Sequence, residues 1–191
     1  MTKEAPKFIL ASSSPRRKEI LSKMGIEFEV VAPDFNENTI FERTPEKLVK
    51  KLSQEKANCI NDEKAVVIAA DTIVIKGDKR FSKPLTRERA TQMLQELRGE
   101  WHDVYTGVTV NFEGRSESFV EKSRVKIKKL SDEQIIKYVD EKNPLDKAGA
   151  YGIQDDQVVE EYKGSYSNIV GLPREKLSQV LEKFGVYYGV H

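Results

Sequence analysis

The chain has little of what a disulfide-bonded, membrane-spanning or nucleic-acid-coating protein needs. Cys59 is the one cysteine in the sequence, which excludes an intrachain disulfide and favours a reducing compartment. The longest apolar run, Ala65–Ala70, is far too short to span a bilayer. Basic and acidic residues number 32 and 31, so the chain has no basic excess of the kind that general duplex-binding proteins show. We therefore expect a cytoplasmic protein that binds neither membranes nor nucleic acid.

Two common nucleotide-binding signatures are also missing. The sequence contains neither G-x-x-x-x-G-K-[ST] nor G-x-G-x-x-G, which disfavours a P-loop enzyme and a dinucleotide oxidoreductase. What remains is a chain of 191 residues, 38% hydrophobic and 33% charged, whose length suits one domain or two small lobes that share a core.

Strand and helix patterns intermix along the chain. Phe8–Ala11 and Val66–Ala70 are apolar strands, and the second is apolar enough to lie centrally in a sheet. Trp101–Phe112 and Ser116–Ile127 predict two long antiparallel strands, which make an all-parallel sheet improbable. Helices are predicted by signals at four starting points, namely Pro15, Thr44, Thr86 and Ser131, and by Pro173 for a last one. The prediction is a single α/β domain over residues 1–191, with a mixed twisted sheet and flanking helices.

The segment Ser12–Arg17 follows the first strand and opens the first helix. The N-terminus of a helix presents free N–H groups and partial positive charge, and hydroxyl and guanidinium groups in the same turn add donors for a polyphosphate. A capped helix with two solvated arginines, Arg16 and Arg17, explains the same residues about equally well.

Asp71 is the first candidate catalytic residue. It follows an apolar strand, where a lone carboxylate is costly unless it binds something, although a turn-forming aspartate is the competing interpretation. Glu37, in a loop after another strand, offers a second carboxylate. A metal ion and a water between these two carboxylates would make a hydrolytic centre.

Other polar residues stay ambiguous on the sequence alone. Lys56, on a helix, and Lys83, before Pro84, each suit either a phosphate contact or an ordinary surface position. His102 has the right chemistry for a base, but no nucleophile motif accompanies it, so a packing or hydrogen-bonding role is favoured.

Taken together, five segments resemble the Maf family of septum-formation-inhibitor-like nucleoside triphosphate pyrophosphatases. They occur in family order over nearly the whole chain, and their combination is very specific. The segments are Leu10–Arg17, Ala70–Val74, Lys83–Pro84, Asp146–Gln154 and Gly164–Pro173.

The resemblance implies hydrolysis of a nucleoside triphosphate to the monophosphate and pyrophosphate with a divalent cation, Mg²⁺ or Mn²⁺. Asp71 matches the family's proton acceptor, and Glu37 matches its acidic loop residue, expected to bind the metal. The polar residues that match its phosphate site are Ser12, Arg17, Lys56 and Lys83. The implied fold is elongated and two-lobed with a central cleft, related to the inosine triphosphate pyrophosphatases, and a homodimer is possible.

Substrate choice is implied by Arg16, Thr72 and Gln154, which resemble the subgroup that acts on dTTP and UTP. The chain also departs from the family pattern. Ser82 stands where many members have glycine, and Asp155 replaces the usual glycine after Gln154. The alternative function is a nucleotide-binding regulator of septum formation in which hydrolysis is incidental.

Overall fold

The computed structural model describes residues 6–189, and within that range it contains six α-helices and seven β-strands. The helices are α1 (Pro15–Lys23), α2 (Pro45–Asn58), α3 (Arg87–Leu97), α4 (Asp132–Lys142), α5 (Tyr166–Val170) and α6 (Arg174–Lys183). The strands are β1 (Phe8–Leu10), β2 (Phe28–Val30), β3 (Val66–Lys76), β4 (Lys79–Phe81), β5 (Trp101–Phe112), β6 (Arg115–Ile127) and β7 (Val159–Lys163).

The strands form a mixed sheet, as predicted. Their hydrogen-bonded order is β2-β1-β3-β5-β6-β7, and β4 pairs with β3 outside this path. β1 runs parallel to both β2 and β3, whereas the β3–β4 and β6–β7 pairs are antiparallel. β5 and β6 follow one another through Glu113 and Gly114, which both have positive φ, as tight hairpin turns require.

The predicted helix starts are confirmed by their caps. The side chains of Thr44, Thr86 and Ser131 each accept a backbone N–H of the helix that follows, and Ser131 forms a full capping box with Gln134. Pro15 occupies the first turn of α1, where its missing N–H costs no hydrogen bond.

One sequence expectation was wrong. Asp71 does not end a strand, because β3 continues through it to Lys76. The segment 149–171 contains β7 and α5. Cys59 is exposed, because it lies just beyond Ala57, the last core-facing residue of α2.

The described chain divides into two compact units. The first consists of the described residues up to Asp71, Thr106–Glu121, and the described residues from Gly171 onward. Its main apolar cluster packs β1, β3 and β5 against α1 and α6, and includes Leu10, Ile68 and Leu181.

The second unit is built from Thr72–Tyr105 and Lys122–Val170. Its apolar cluster packs α3 and α4 on β5 and β6, and includes Leu94, Val125 and Tyr138. Among residues 6–189, no helix combines the length and the apolar character that crossing a bilayer requires.

His102 is a buried packing residue of the second unit, as the sequence favoured. It is 2% exposed, and its Nε2 lies 2.6 Å from the hydroxyl of Tyr151. Burial lowers the pKa of His102 to about 4, with Asp103 opposing and Lys76 reinforcing the shift. The imidazole is therefore neutral in the folded protein at neutral pH.

This lowered pKa predicts a loss of stability in mild acid. The unfolded chain binds a proton at His102 below its ordinary pKa of 6.5, while the folded chain binds it only near 4. The contribution of neutral His102 to the free energy of unfolding is therefore fully present above about pH 6.5, and it falls by about 3 kcal/mol as the pH drops to about 4. Urea unfolding of the protein and of His102→Gln at pH 7 and pH 4.5 measures this loss, which should be smaller in the variant. Equal pH sensitivity in the two proteins would contradict the assignment.

Candidate active site

The turn between β1 and α1 gathers the first group of polar side chains. Ser12 is 6% exposed, and its hydroxyl accepts the backbone N–H of Ser14 at 3.2 Å and Nη1 of Arg17 at 3.1 Å. Nε of Arg17 donates to the backbone carbonyl of Gly171 at 2.8 Å. The guanidinium is thus held at the N-terminus of α1, where the helix dipole favours an anion.

A second group centres on Lys56, in the last turn of α2. Its ammonium nitrogen lies 2.6 Å from Oδ1 of Asp71 and 2.6 Å from Oε1 of Glu37. The side chains of Lys56 and Asp71 are 10% and 7% exposed, whereas that of Glu37 is 48% exposed. One buried cation therefore links the two carboxylates that the sequence proposed for catalysis and metal binding.

The two groups act on one another electrostatically. Burial lowers the pKa of Arg17, the negative charges of Asp71 and Glu37 oppose that shift, and the positive charge of Arg16 reinforces it. Arg17, Asp71 and Glu37 all belong to the first unit, and their charges are coupled there.

One oxygen of this cluster is left without a partner. Oδ2 of Asp71 is buried and makes no hydrogen bond with any described residue. Buried polar atoms are normally satisfied, and an exception points to a ligand, a water or a catalytic role. Lys56 has three N–H donors and uses two of them on the carboxylates, which leaves one for another acceptor.

The remaining predicted site residues belong to the second unit. Thr72 directly follows Asp71 in β3, and Lys83 is exposed in the segment after β4. Gln154 is exposed in a turn between Gly152 and Asp155. The roles assigned to these three side chains stay predictions.

Three residues have structural roles that the sequence did not indicate. Gly171 supplies the carbonyl that Arg17 contacts, and its φ of 127° suits glycine. Tyr138 and Asp155 are joined by a 2.5 Å hydrogen bond beside Gln154. Asp155 was visible in the sequence only as a departure from the family pattern, and nothing in the sequence near Tyr138 signals its partner.

The Lys56 cluster predicts a large stability difference between two lysines of the same helix. Lys56→Met leaves the buried Asp71 carboxylate without its cation and should lower the free energy of unfolding by about 3–5 kcal/mol. Adding Asp71→Asn should restore most of the lost free energy, because it removes the unpaired charge. Lys51→Met is the matched control, because Lys51 contacts Glu55 at the same 2.6 Å but is 44% exposed, and it should cost at most about 1 kcal/mol. Denaturant unfolding giving equal losses for the two single variants would contradict the burial argument.

Comparisons with known proteins identify the family of the chain. Residues 7–184 match the family model described as Maf-like protein. A dTTP/UTP pyrophosphatase of Thermosipho melanesiensis is 50% identical over 91% of this chain and 95% of its own. Proteins of the same name from Acetivibrio thermocellus and Bacillus pumilus are 42% and 43% identical; the matches cover 94% and 93% of this chain and 96% of each relative.

Among solved structures, a HAM1 protein from Coxiella burnetii has the same fold. Its TM-score is 0.54 at 14% sequence identity, over 93% of this chain and 99% of the other. On the family model and the relatives at 42–50% identity, the chain belongs to the Maf-like protein family.

Proposed function

We propose that this protein is a nucleoside triphosphate pyrophosphatase that hydrolyses dTTP and UTP to the monophosphate and pyrophosphate. The observation that carries the proposal is the buried Asp71 carboxylate, held through Oδ1 by Lys56 with Oδ2 unsatisfied among the described residues, beside the cationic turn that opens α1. The relatives that bear the name dTTP/UTP pyrophosphatase support the choice of reaction. The cytoplasm is the location that we propose, since Cys59 allows no intrachain disulfide.

The triphosphate is bound by the first helix turn and its neighbours. Arg17 is already oriented by Ser12 and Gly171, so its guanidinium meets phosphate oxygens with little further ordering. The third donor of Lys56 contacts a phosphate oxygen, and Lys83 adds a second lysine charge. The positive end of the α1 dipole completes the anion site.

Hydrolysis proceeds by attack of water on the α-phosphorus. The water gives its proton to Oδ2 of Asp71 as its oxygen bonds to phosphorus, and the bond from the α-phosphorus to the α,β-bridging oxygen breaks. The electron pair of that bond leaves with pyrophosphate, while the cationic side chains stabilise the charge that builds on it. Lys56 keeps the accepting oxygen turned towards the site by holding the other one.

The Glu37 carboxylate fits a divalent cation that is bound mainly through the substrate. No group of three or more His, Cys, Asp or Glu residues in the described chain forms a metal cage, and Glu37 is the protein ligand of this proposal. Mg²⁺ is commonly bound in this way, by one or two carboxylates together with phosphate oxygens. A bound Mg²⁺ or Mn²⁺ would neutralise phosphate charge at this place.

Arg16, Thr72 and Gln154 read the base in this proposal. Each carries groups that hydrogen-bond the edge of a pyrimidine, and a base that left such groups unpaired would be penalised. This assignment rests on the resemblance of the three residues to the dTTP- and UTP-type subgroup.

The reaction is tested by its products and by one substitution. Incubation with dTTP and Mg²⁺ should release pyrophosphate and dTMP, and Asp71→Asn should lower kcat by about 10²–10⁴-fold because it removes the proton acceptor. Asp78→Asn is the control, since Asp78 is exposed in the turn that follows the same strand. Release of orthophosphate, or full activity of Asp71→Asn, would overturn the proposal, and nucleotide binding without turnover would favour the regulatory alternative.

The metal assignment predicts a change in cation requirement. Glu37→Gln should raise the Mg²⁺ concentration for half-maximal activity by about tenfold, because a neutral amide is a weaker Mg²⁺ ligand than a carboxylate. Glu42→Gln, an exposed glutamate of the same loop, should leave it unchanged. Undiminished activity in excess EDTA, or equal Mg²⁺ titrations for the two variants, would refute a metal role for Glu37.

A further inference from the structure

The turn that carries Gln154 is closed by two hydrogen bonds between Asp155 and Gly152. The backbone N–H of Asp155 donates to the carbonyl of Gly152 at 3.0 Å, and Oδ2 of Asp155 accepts the N–H of Gly152 at 3.1 Å. The same oxygen accepts the hydroxyl of Tyr138 at 2.5 Å. The Gly152 N–H also points at that hydroxyl, at 3.3 Å. Two donors thus converge on one carboxylate oxygen, and Gln154 lies inside the closed turn.

Tyr138 makes this anchor rigid. It is 2% exposed and belongs to α4, so its ring is fixed in the apolar core of the second unit. Burial, followed by the hydrogen bond to Asp155, raises the pKa of its hydroxyl, which therefore remains a donor at any assay pH. A carboxylate that accepts two donors, one of them core-fixed, has little rotational freedom.

The Gln154 amide lies over this anchor. A Cβ placed on Gly152 would be 2.6 Å from Nε2 of Gln154 and 2.8 Å from Oδ2 of Asp155. The amide and the carboxylate therefore both pack against the bare Cα of Gly152. Anything that loosens Asp155 also loosens the surface on which the amide rests.

We infer that Asp155 is a positioning residue for base selection, which fixes the orientation of the Gln154 amide through Tyr138 and Gly152. The inference rests on the proposed function, and it assigns a role to a carboxylate that replaces the glycine of the family pattern. Asp155 does not touch the reacting phosphates in this account. It acts through Gln154 alone.

Fixing an amide matters for telling thymine from cytosine. Thymine presents the O4 acceptor where cytosine presents the N4 amino donor. An amide carries an acceptor oxygen and a donor NH₂, and a half-turn of the side chain exchanges them. A fixed Gln154 therefore matches one base, whereas a free one adapts to either.

The test is the ratio of kcat/KM for dTTP to that for dCTP. Asp155→Gly should lower this ratio about tenfold, which corresponds to the loss of one charge-assisted hydrogen bond. The change should appear mainly as a higher KM for dTTP, with kcat nearly unchanged. Tyr138→Phe should act in the same direction, and Asp155→Asn, which keeps an acceptor, should restore part of the ratio. Asp156→Gly is the matched control, because Asp156 is exposed and its backbone, which the substitution keeps, bonds to Gln154 and Lys128.

Three results would overturn the inference. The first is an equal ratio for Asp155→Gly and Asp156→Gly. The second is a fall in kcat for both nucleotides with the ratio unchanged, which indicates a merely structural role. The third is an unchanged ratio in Gln154→Ala. Such a variant would still release pyrophosphate from dTTP, so this result would overturn the inference without affecting the proposed reaction.

Failure of the proposed function looks different, because the unsubstituted protein would then release no pyrophosphate from either nucleotide. In that case the ratio of Kd values for dTTP and dCTP, measured by calorimetry with Mg²⁺, replaces the kinetic ratio with the same expected changes. Hydrogen exchange of the Gly152 amide gives a readout without nucleotide. Asp155→Gly should speed it about tenfold, the effect of losing one hydrogen bond, and no change would count against the anchor.

Discussion

The arrangement of the candidate active site depends on one buried cation, Lys56. It holds Asp71 and Glu37 at equal distance, although one carboxylate is buried and the other half-exposed. Without the ammonium, Asp71 would be an isolated charge in the middle of a core strand, which the apolar surroundings of β3 do not tolerate. The same contact occupies one carboxylate oxygen and leaves the other unsatisfied among the described residues, as the proposed role of Asp71 as proton acceptor requires.

The position of Lys56 is fixed by how closely α2 approaches β5. Gly107 has no side chain there, and a Cβ at that position would be 2.3 Å from the carbonyl oxygen of Val49. Ser53, one turn before Lys56, is bonded through its hydroxyl to that of Thr109 at 2.8 Å. Helix and strand are therefore in backbone contact and joined by a buried polar bond, which sets the height at which Lys56 meets Asp71.

Much of this could be read from the sequence, where local signals are strong. Helix caps at Thr44, Thr86 and Ser131 act over three or four residues, and β5 was predicted over its observed range, Trp101–Phe112. Ser12, Arg17 and Asp71 were assigned to one site through a family resemblance rather than through periodicity, and that assignment stays a prediction.

What the sequence could not provide are pairings across the chain. The sequence left Lys56 open between a phosphate contact and a surface position, because only the folded chain brings it to a carboxylate 15 residues away. Asp71 was expected to end its strand, since a charge inside an apolar strand is unfavourable until its partner is known. The hydrogen bonds between Arg17 and Gly171 and between Tyr138 and Asp155 likewise depend on tertiary packing.

The central claim is that Asp71 faces the phosphates held at the start of α1. A crystal structure with Mn²⁺ and α,β-methylene-dUTP, in which the scissile bridge is blocked, tests it most directly. The account predicts phosphate oxygens on Arg17 and the N-terminal turn of α1, with the α-phosphorus and a water next to Oδ2 of Asp71. A triphosphate bound elsewhere, or bound here with Asp71 turned away from the α-phosphorus, would contradict it.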